Sequence, residues 1–126
     1  MKKVEFGPLI VELRSDDIIH ASLKEDFEDI GIETMKKLTE VIGELGGKRK
    51  LKAIIEIQSF NSITEQAKNY SASEESQIYT KANAIVINSF AAKLGANFFI
   101  KFNNPTRPTR VFNTVEEAVE WLYQIP

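Results

Sequence analysis

Near the start of the chain, apolar and polar residues follow the short period of β-strands. Two such runs cover residues 9–13 and 18–22. Asp16 and Asp17 lie between the runs and favour a tight turn, because aspartate side chains bond nearby backbone groups. These runs predict an antiparallel hairpin.

The hydrophobic period then changes to that of an α-helix. In residues 31–45 the apolar side chains recur every three or four positions and form one helical stripe. We expect the glycine pair at 46–47 to end this helix, since glycine accepts the left-handed backbone that closes many helices. The stripe consists of Ile32, Met35, Leu38, Ile42 and Leu45.

Two later segments, residues 52–57 and 82–87, are largely apolar, which is typical of strands covered on both faces in a parallel sheet. Between them, Ser62 and Glu65 have the spacing of a capping box and predict the start of a short helix. The serine-rich segment 71–75 predicts one or two further helical turns.

The last third of the chain contains two predicted helices. Residues 89–102 are apolar nearly all round, so this helix either lies within the core or presents a second apolar face to a partner or ligand. A loop at 103–109 and a short strand at 110–112 follow. Thr114 and Glu117 form a second capping box, which opens the last helix. That helix is expected to bury Val115, Ala118, Val119 and Leu122.

The order of these elements predicts an α/β fold. A hairpin followed by alternating helices and buried strands implies right-handed crossovers and a mixed, largely parallel sheet, with the N-terminal hairpin antiparallel and helices flanking the sheet. The chain has 126 residues, fewer than the roughly 150 of a typical domain, and no linker divides it. We therefore expect residues 1–126 to form a single domain.

Composition removes much of the chemistry that proteins use. The chain has no cysteine, which excludes thiol nucleophiles, thiolate zinc sites and iron–sulfur clusters. His20 is the single histidine, so a multi-histidine metal site is excluded as well. His20 follows Asp16 and Asp17 closely, but we interpret it as a sheet-face histidine and not as a general base. We expect no catalytic residue, no metal and no cofactor, and hence no enzyme.

Residues 43–49 superficially resemble a phosphate-binding loop. Ile42 stands where the first glycine of that motif belongs, and Arg49 stands where the magnesium-binding serine or threonine belongs. The segment also ends a predicted helix, whereas a phosphate loop opens one. We interpret it as a helix cap.

Charge and hydropathy limit the partners. Lysine and arginine total 16 against 18 acidic residues, a net charge of −2, which is not typical of a nucleic-acid-binding protein. The longest apolar stretch, residues 90–102, is interrupted by two lysines and falls short of the ~20 apolar residues of a membrane span. Residues 1–8 lack the apolar core of a secretory signal. We expect a cytoplasmic protein without a membrane span and without a nucleic-acid partner.

The aromatic residues of the 89–102 helix leave two interpretations open. They belong to the core, or they line an apolar ligand cavity in which a basic side chain meets an anionic head group. In the second case the candidate ligand-binding residues are Phe98, Phe99, Phe102, Lys101, Arg107 and Arg110.

Several short sequence motifs in the last third of the chain resemble those of a known family. They are the strand at 84–87, the Asn-Phe-Phe sequence within 96–103, the Pro-Thr-Arg-Val-Phe run that ends at Phe112, and the Glu-Ala-x-x-Trp-Leu pattern of the last helix. In these motifs the chain resembles the bacterial SpoIIAA-like proteins, which are grouped with the STAS domains of sulfate transporters and anti-sigma-factor antagonists. The resemblance implies a mixed sheet flanked by helices, and a regulatory or binding role without catalytic machinery.

The resemblance also implies a regulatory residue. In anti-sigma-factor antagonists, a serine at the start of the helix after the third strand is phosphorylated by a partner kinase. The matching position here is Ser62, although the Asp-Ser-x-Gly surroundings of the family are absent and Ile63, Thr64 and Glu65 follow it. We favour a capping role for this hydroxyl and keep phosphorylation as the alternative.

We therefore predict a non-enzymatic regulatory or protein-interaction module of the STAS-like type. Its protein partner is unknown, and a homodimer is one of the assemblies left open. The alternative is a binder of a small apolar or lipid-like ligand held against the 90–102 helix.

Overall fold

The computed structural model describes residues 2–23, 30–57, 63–87 and 89–126, with the exception of the Phe102 side chain. Strands and helices alternate after an N-terminal run of three strands. The elements are β1 (Lys2–Phe6), β2 (Leu9–Leu13), β3 (Ile19–Leu23), α1 (Ile32–Leu45), β4 (Leu51–Glu56), α2 (Glu65–Ser71), β5 (Thr80–Val86), α3 (Phe90–Asn103), β6 (Thr109–Phe112) and α4 (Val115–Tyr123).

The six strands form one sheet whose spatial order is the order of the chain, β1 to β6. Strands β1, β2 and β3 pair antiparallel, whereas β3, β4, β5 and β6 pair parallel. Strands β1 and β6 are therefore the two edges of the sheet. The predicted α/β fold, a largely parallel sheet with an antiparallel N-terminal hairpin, is confirmed.

Helices cover the two faces of the sheet unequally. On one face, α1 packs against the half of the sheet that contains β2 and β3, through side chains such as Leu38 and Ile42. On the same face, α3 packs against the β5 and β6 half through Ala96. On the other face, α4 buries Ala118 and Leu122 against β4 and β5. The described helices thus leave the α4 side of β1, β2 and β3 uncovered, and its side chains are polar at several positions.

Strand β1 was not predicted from the sequence. It pairs with β2 along its whole length, and Gly7 makes the connection with a φ of 49°, in the left-handed region that glycine tolerates. Three of its five residues, Lys2, Lys3 and Glu5, are charged and exposed. Such a strand gives little hydrophobic signal, because only two side chains face the core.

Helix α1 ends at Leu45, just before the glycine pair, as predicted, but the left-handed backbone begins one residue after the Gly46 cap. Gly46 has a φ of −87°, and the left-handed conformation occurs at Gly47 and Lys48. Gly43, inside the helix, lies under the ring of Tyr79, where a Cβ would fall 2.7 Å from Cδ2. The segment that superficially resembled a phosphate loop is thus a helix end, and its first glycine serves packing.

Helix α2 begins at Glu65, and its N-cap is Thr64, whose hydroxyl accepts a hydrogen bond from the backbone N–H of Ala67 at 3.2 Å. Ser62 lies outside the described residues. The capping role that the sequence assigned to Ser62 therefore belongs to Thr64. The reason is local, since the threonine hydroxyl lies three residues before the orphan N–H that it satisfies.

The further helical turns predicted for residues 71–75 are wrong. Residues 72–79 form a series of turns. Ser71 and Ser73 donate from Oγ to the carbonyl oxygens of Lys68 and Tyr70, each at 2.6 Å. Serine side chains that bond the backbone in this way compete with helix propagation.

The capping threonine of α4 is confirmed. Thr114 Oγ1 accepts from the backbone N–H of Glu117 at 3.2 Å. The carboxylate of Glu117 accepts from the same hydroxyl, with Oε1 at 3.1 Å. The first turn of the helix is therefore closed by this pair of residues.

Candidate functional site

Helix α3 has two apolar faces. The inner face contacts the core through Ala92, Ala96 and other side chains. On the outer face, Phe90, Leu94 and Phe98 are 74%, 57% and 63% exposed. They are spaced by four residues and so lie along one side of the helix. We call these three residues the α3 stripe. A row of large exposed apolar side chains is typical of a surface that contacts a protein partner or a ligand.

Phe90 and Leu94 of the α3 stripe line a groove of about 570 Å³ that lies between α3 and α4. Its floor is the edge strand β6. The wall formed by α3 is partly apolar, and the wall formed by α4 is acidic and aromatic. We call this the β6 groove, and it is lined by Phe90, Lys93, Leu94, Asn97, Arg110, Val111, Phe112, Asn113, Glu117, Glu120, Trp121 and Gln124.

The floor and the α4 wall are held together by aromatic contacts. The rings of Phe112 and Trp121 lie with their centroids 5.5 Å apart. The guanidinium of Arg110 lies 5.4 Å from the centroid of the Phe112 ring, within the range of a cation–π interaction. Glu117 and Glu120 are exposed on the α4 wall. The groove therefore offers both signs of charge beside aromatic surface.

The outer edge of β6 carries backbone groups that point into the groove. Asn83 N–H donates to Pro108 O, and Ile87 N–H donates to Phe112 O, each at 2.9 Å. Residues two apart along a strand share a direction, so Pro108 and Phe112 face β5 together with the intervening Arg110. The N–H and C=O groups of Thr109 and Val111, and the N–H of Asn113 just after the strand, then point away from β5. Within the described residues, the sheet has no strand beyond this edge.

A second, smaller cavity of about 100 Å³ lies between α1, the sheet and Phe99 of α3. Its lining is mainly apolar, and a buried amide pair borders it. Asn83 Nδ2 donates to Gln77 Oε1 at 2.6 Å, and Gln77 Nε2 donates to the carbonyl of Ser71 at 2.9 Å. The volume is well below the roughly 300–1,000 Å³ of pockets for drug-sized ligands.

The aromatic ligand candidates lie in different places. Phe98 is exposed on the outer face of α3, whereas Phe99 is half-buried on the inner face and borders the small cavity. The side chain of Phe102 lies outside the described residues. Phe98 and Phe99 therefore do not line a common cavity.

The basic candidates are also dispersed. Arg107 is held by Glu74, with Nη2–Oε1 at 2.8 Å, and it donates from Nε to the carbonyl of Thr80 at 2.8 Å. The hydrogen bond that Arg107 donates to the Glu74 carboxylate lowers the pKa of Glu74. Lys101 is exposed on α3, and Arg110 lies in the β6 groove. Of the five candidates whose side chains are described, only Arg110 lines the groove, while Trp121, Glu117 and Glu120 were not among the candidates.

Comparison with known proteins gives the family of the chain. The family model described as "Domain of unknown function (DUF7793)" matches residues 11–126. The chain belongs to the DUF7793 family. No curated protein sequence matches it significantly.

The fold of this DUF7793 domain is shared with a solved structure. The crystal structure of an uncharacterized protein of the DUF3478 family with a SpoIIAA-like fold, from Shewanella loihica PV-4, matches with a TM-score of 0.62. The match covers 90% of this chain and 91% of that one at 16% sequence identity. The SpoIIAA-like fold that the sequence resemblance implied is therefore confirmed, and at this identity the likeness concerns the fold alone. None of the described helices is long and apolar enough to cross a membrane.

His20 of the DUF7793 domain lies on the polar side of β3. Its Nε2 is 2.9 Å from Oε1 of Glu56 on β4, and its side chain is 21% exposed. The two aspartates that precede it in sequence bind other groups, since Asp16 pairs with Arg14 and Asp17 with Arg49. The partner of His20 comes from the parallel pairing of β3 with β4, which the local sequence does not show.

Asp16 connects the β2–β3 turn to the last helix. Its Oδ2 accepts a hydrogen bond from the hydroxyl of Tyr123 at 2.6 Å, and Arg14 bonds both carboxylate oxygens. Burial alone would raise the pKa of Asp16, but the Tyr123 hydrogen bond and the charge of Arg14 outweigh it and lower that pKa. The same hydrogen bond raises the pKa of Tyr123.

Proposed function

We propose that the DUF7793 domain is a non-enzymatic, regulatory protein-interaction module of the STAS-like type, which binds a protein chain in the β6 groove. The observation that carries this proposal is the α3 stripe. Burying a large apolar side chain is worth about 1.5–3 kcal/mol, so Phe90 and Leu94, the two members of the stripe that line the groove, favour contact with a partner. No step of this role needs a catalytic residue.

The open edge of β6 favours a protein chain as the partner over an apolar ligand. Outward N–H and C=O groups are best satisfied by the backbone of an added strand, which gives affinity, while the walls of the groove give specificity. A lipid-like molecule would leave those groups without partners. The small inner cavity is apolar, but it holds about 100 Å³. The alternative function, a small apolar or lipid-like ligand held against α3, is therefore the less supported one.

The test compares the double variant Phe90→Ser/Leu94→Ser with Ile78→Ser. Ile78 is a matched control, because it is 48% exposed and does not line the groove. The tagged domain is used as bait for an untagged copy and for a cell lysate, and each captured protein is purified and titrated. We expect the double variant to weaken binding by about tenfold or more, since each 1.4 kcal/mol is tenfold, and Ile78→Ser to leave it unchanged.

Two results would contradict the proposal. One is a partner that binds the wild-type domain and the double variant equally. The other is the absence of any bound protein together with binding of a fatty acid or phospholipid that the double variant abolishes. The second result would establish the ligand-binding alternative.

The non-enzymatic role has a separate test. The purified domain is incubated with generic ester, phosphate and nucleotide substrates, beside the variant His20→Ala. We expect no turnover that depends on His20. A rate well above background that is lost in His20→Ala would show an enzyme.

Regulation at Ser62 stays a prediction. Phosphorylation at this position would add about two negative charges and would act on partner binding. We compare Ser62→Asp with Ser62→Ala for melting temperature and for binding of the captured partner. Loss of binding in Ser62→Asp alone, at equal stability, would support a switch, whereas equal binding by both variants would contradict it.

A further inference from the structure

We infer that the chain bound in the β6 groove is a second copy of this domain, paired through an antiparallel β6–β6 contact about a two-fold axis at Val111. This inference rests on the proposed docking role of the β6 groove. The partner then extends the six-stranded sheet across the axis. Three features of the groove support a self-complementary contact: its backbone register, its charges and the exposed side chains of Phe90 and Leu94.

The backbone register of β6 is symmetric about Val111. Within β6, the residues whose N–H and C=O groups point outward are Thr109 and Val111, and Asn113, just after the strand, points its N–H outward. In an antiparallel pair centred on Val111, this residue lies opposite the partner's Val111, and Thr109 lies opposite the partner's Asn113. Directly opposed residues of this kind exchange both N–H···O bonds. One register thus satisfies the outward groups of both copies.

The charges of the groove are complementary under the same symmetry. Arg110 and Phe112 point to the α4 side of the sheet, since they alternate with Val111, which packs on the α3 side. In the symmetric pair, Arg110 lies opposite the partner's Phe112 and repeats the cation–π contact that it makes within its own chain at 5.4 Å. It also approaches the α4 wall of the partner, whose Glu117 and Glu120 are exposed. Opposite charges therefore meet across the axis.

The exposed side chains of Phe90 and Leu94 meet counterparts in the same arrangement. A two-fold axis perpendicular to the sheet keeps α3 of both copies on one face. The exposed side chains of Phe90 and Leu94, which line the groove, then face the same side chains of the partner. Such self-matching is required of an isologous interface.

The other edge of the sheet is protected against this kind of pairing. Strand β1 carries the exposed charges Lys2, Lys3 and Glu5. Charged side chains on an edge strand oppose its pairing with another chain. Strand β6 has a single charged residue, Arg110, which the partner accommodates. The sheet is therefore expected to extend at β6 and not at β1.

The register can be tested by disulfide cross-linking, because the chain contains no cysteine. Val111→Cys places two thiols directly opposite each other, at a spacing that a disulfide spans. We expect the oxidised full-length variant to run as a covalent dimer. Asn113→Cys is the matched control, since two copies of residue 113 are displaced by about 13 Å along the strands, beyond the reach of a disulfide. A mixture of Thr109→Cys with Asn113→Cys is expected to form the mixed dimer.

A second measurement does not depend on cysteine. The mass of the full-length domain is measured by sedimentation equilibrium over a range of concentrations. We expect a dimer for the wild type. We expect Arg110→Glu to weaken the dimer about tenfold or more, because it places like charges across the axis, and a mixture with Glu117→Arg/Glu120→Arg to restore it. The melting temperature of each monomeric variant shows whether it is folded.

The outcomes separate this inference from the proposed function. A monomer at every concentration, or a dimer in which Asn113→Cys cross-links and Val111→Cys does not, would overturn the β6–β6 contact. If the monomer still binds another protein through the α3 stripe, the proposed function stands without self-pairing. Failure of the proposed function is instead shown when Phe90→Ser/Leu94→Ser binds every protein as well as the wild type does.

Discussion

At the level of single residues, some side-chain contacts join loops that are far apart in sequence. Asp16 in the β2–β3 turn accepts from Tyr123, 107 positions later. Arg107 in the loop before β6 holds Glu74 in the turns after α2. These contacts fix the loops around the sheet, and none of them follows from a local motif.

The link between Asp16 and Tyr123 makes a prediction about pH. Because the pKa of folded Asp16 is lowered, its contribution to stability is present above the ordinary value of 3.8 and is lost as pH falls through the lower, folded pKa. Tyr123→Phe removes the hydrogen bond, so we expect the pKa of Asp16 to rise. An NMR titration of the Asp16 carboxyl in both proteins checks this. An unchanged or lower pKa in Tyr123→Phe would show that Tyr123 does not stabilise the carboxylate.

At the scale of elements, helix α1 shows what hydrophobic periodicity predicts and what it omits. The stripe of residues 32–45 places the helix correctly. The reason for Gly43 within it appears only in the fold, because the ring of Tyr79 comes from the turn before β5. A glycine inside a helix otherwise costs about 1 kcal/mol relative to alanine.

Gly43→Ala is therefore expected to destabilise the domain in spite of its better helix propensity. The added Cβ would lie 2.7 Å from Cδ2 of the Tyr79 ring and 2.9 Å from Cζ, and overpacking of this kind costs about 1–3 kcal/mol. Chemical denaturation measures the free energy of unfolding. The control is Gly43→Ala in a Tyr79→Leu background, where the same change should cost less. A Gly43→Ala variant more stable than the wild type would contradict the packing role.

The sequence predicted most elements because each carries its own periodicity. The hairpin β2–β3, the buried strands β4 and β5 and the helix α4 all follow from local patterns. Strand β1 was missed because its charged residues obscure the alternation of a strand. The turns after α2 were predicted as helix because the sequence does not show that serine hydroxyls bond the backbone there. The β6 groove could not be predicted, because Trp121 and Arg110 come together only when α4 folds back against the sheet after β6.

At the scale of the whole molecule, α4 is the sole described helix on its face of the sheet. It covers Ile54, Ala84 and Val86, which would otherwise be exposed to water. Leu122 is fully buried in this contact. The helix therefore belongs to the folding unit, although it lies at the end of the described chain.

Deleting residues 114–126 is expected to abolish cooperative unfolding, because it uncovers one face of the parallel strands. Circular dichroism during a thermal melt measures this, with the full chain as reference. A truncated chain that melts as sharply and at the same temperature would show that α4 is dispensable for folding.

Amide hydrogen exchange measures directly whether the outer edge of β6 pairs with another chain. The amide of Val111 points outward, whereas the amide of Arg110 faces β5 and serves as the internal control. We expect Val111 to exchange fast at low protein concentration and slowly at high concentration, and Arg110 to stay equally protected at both. Fast exchange at Val111 at every concentration, with and without added partner, would show that this edge of the sheet does not pair.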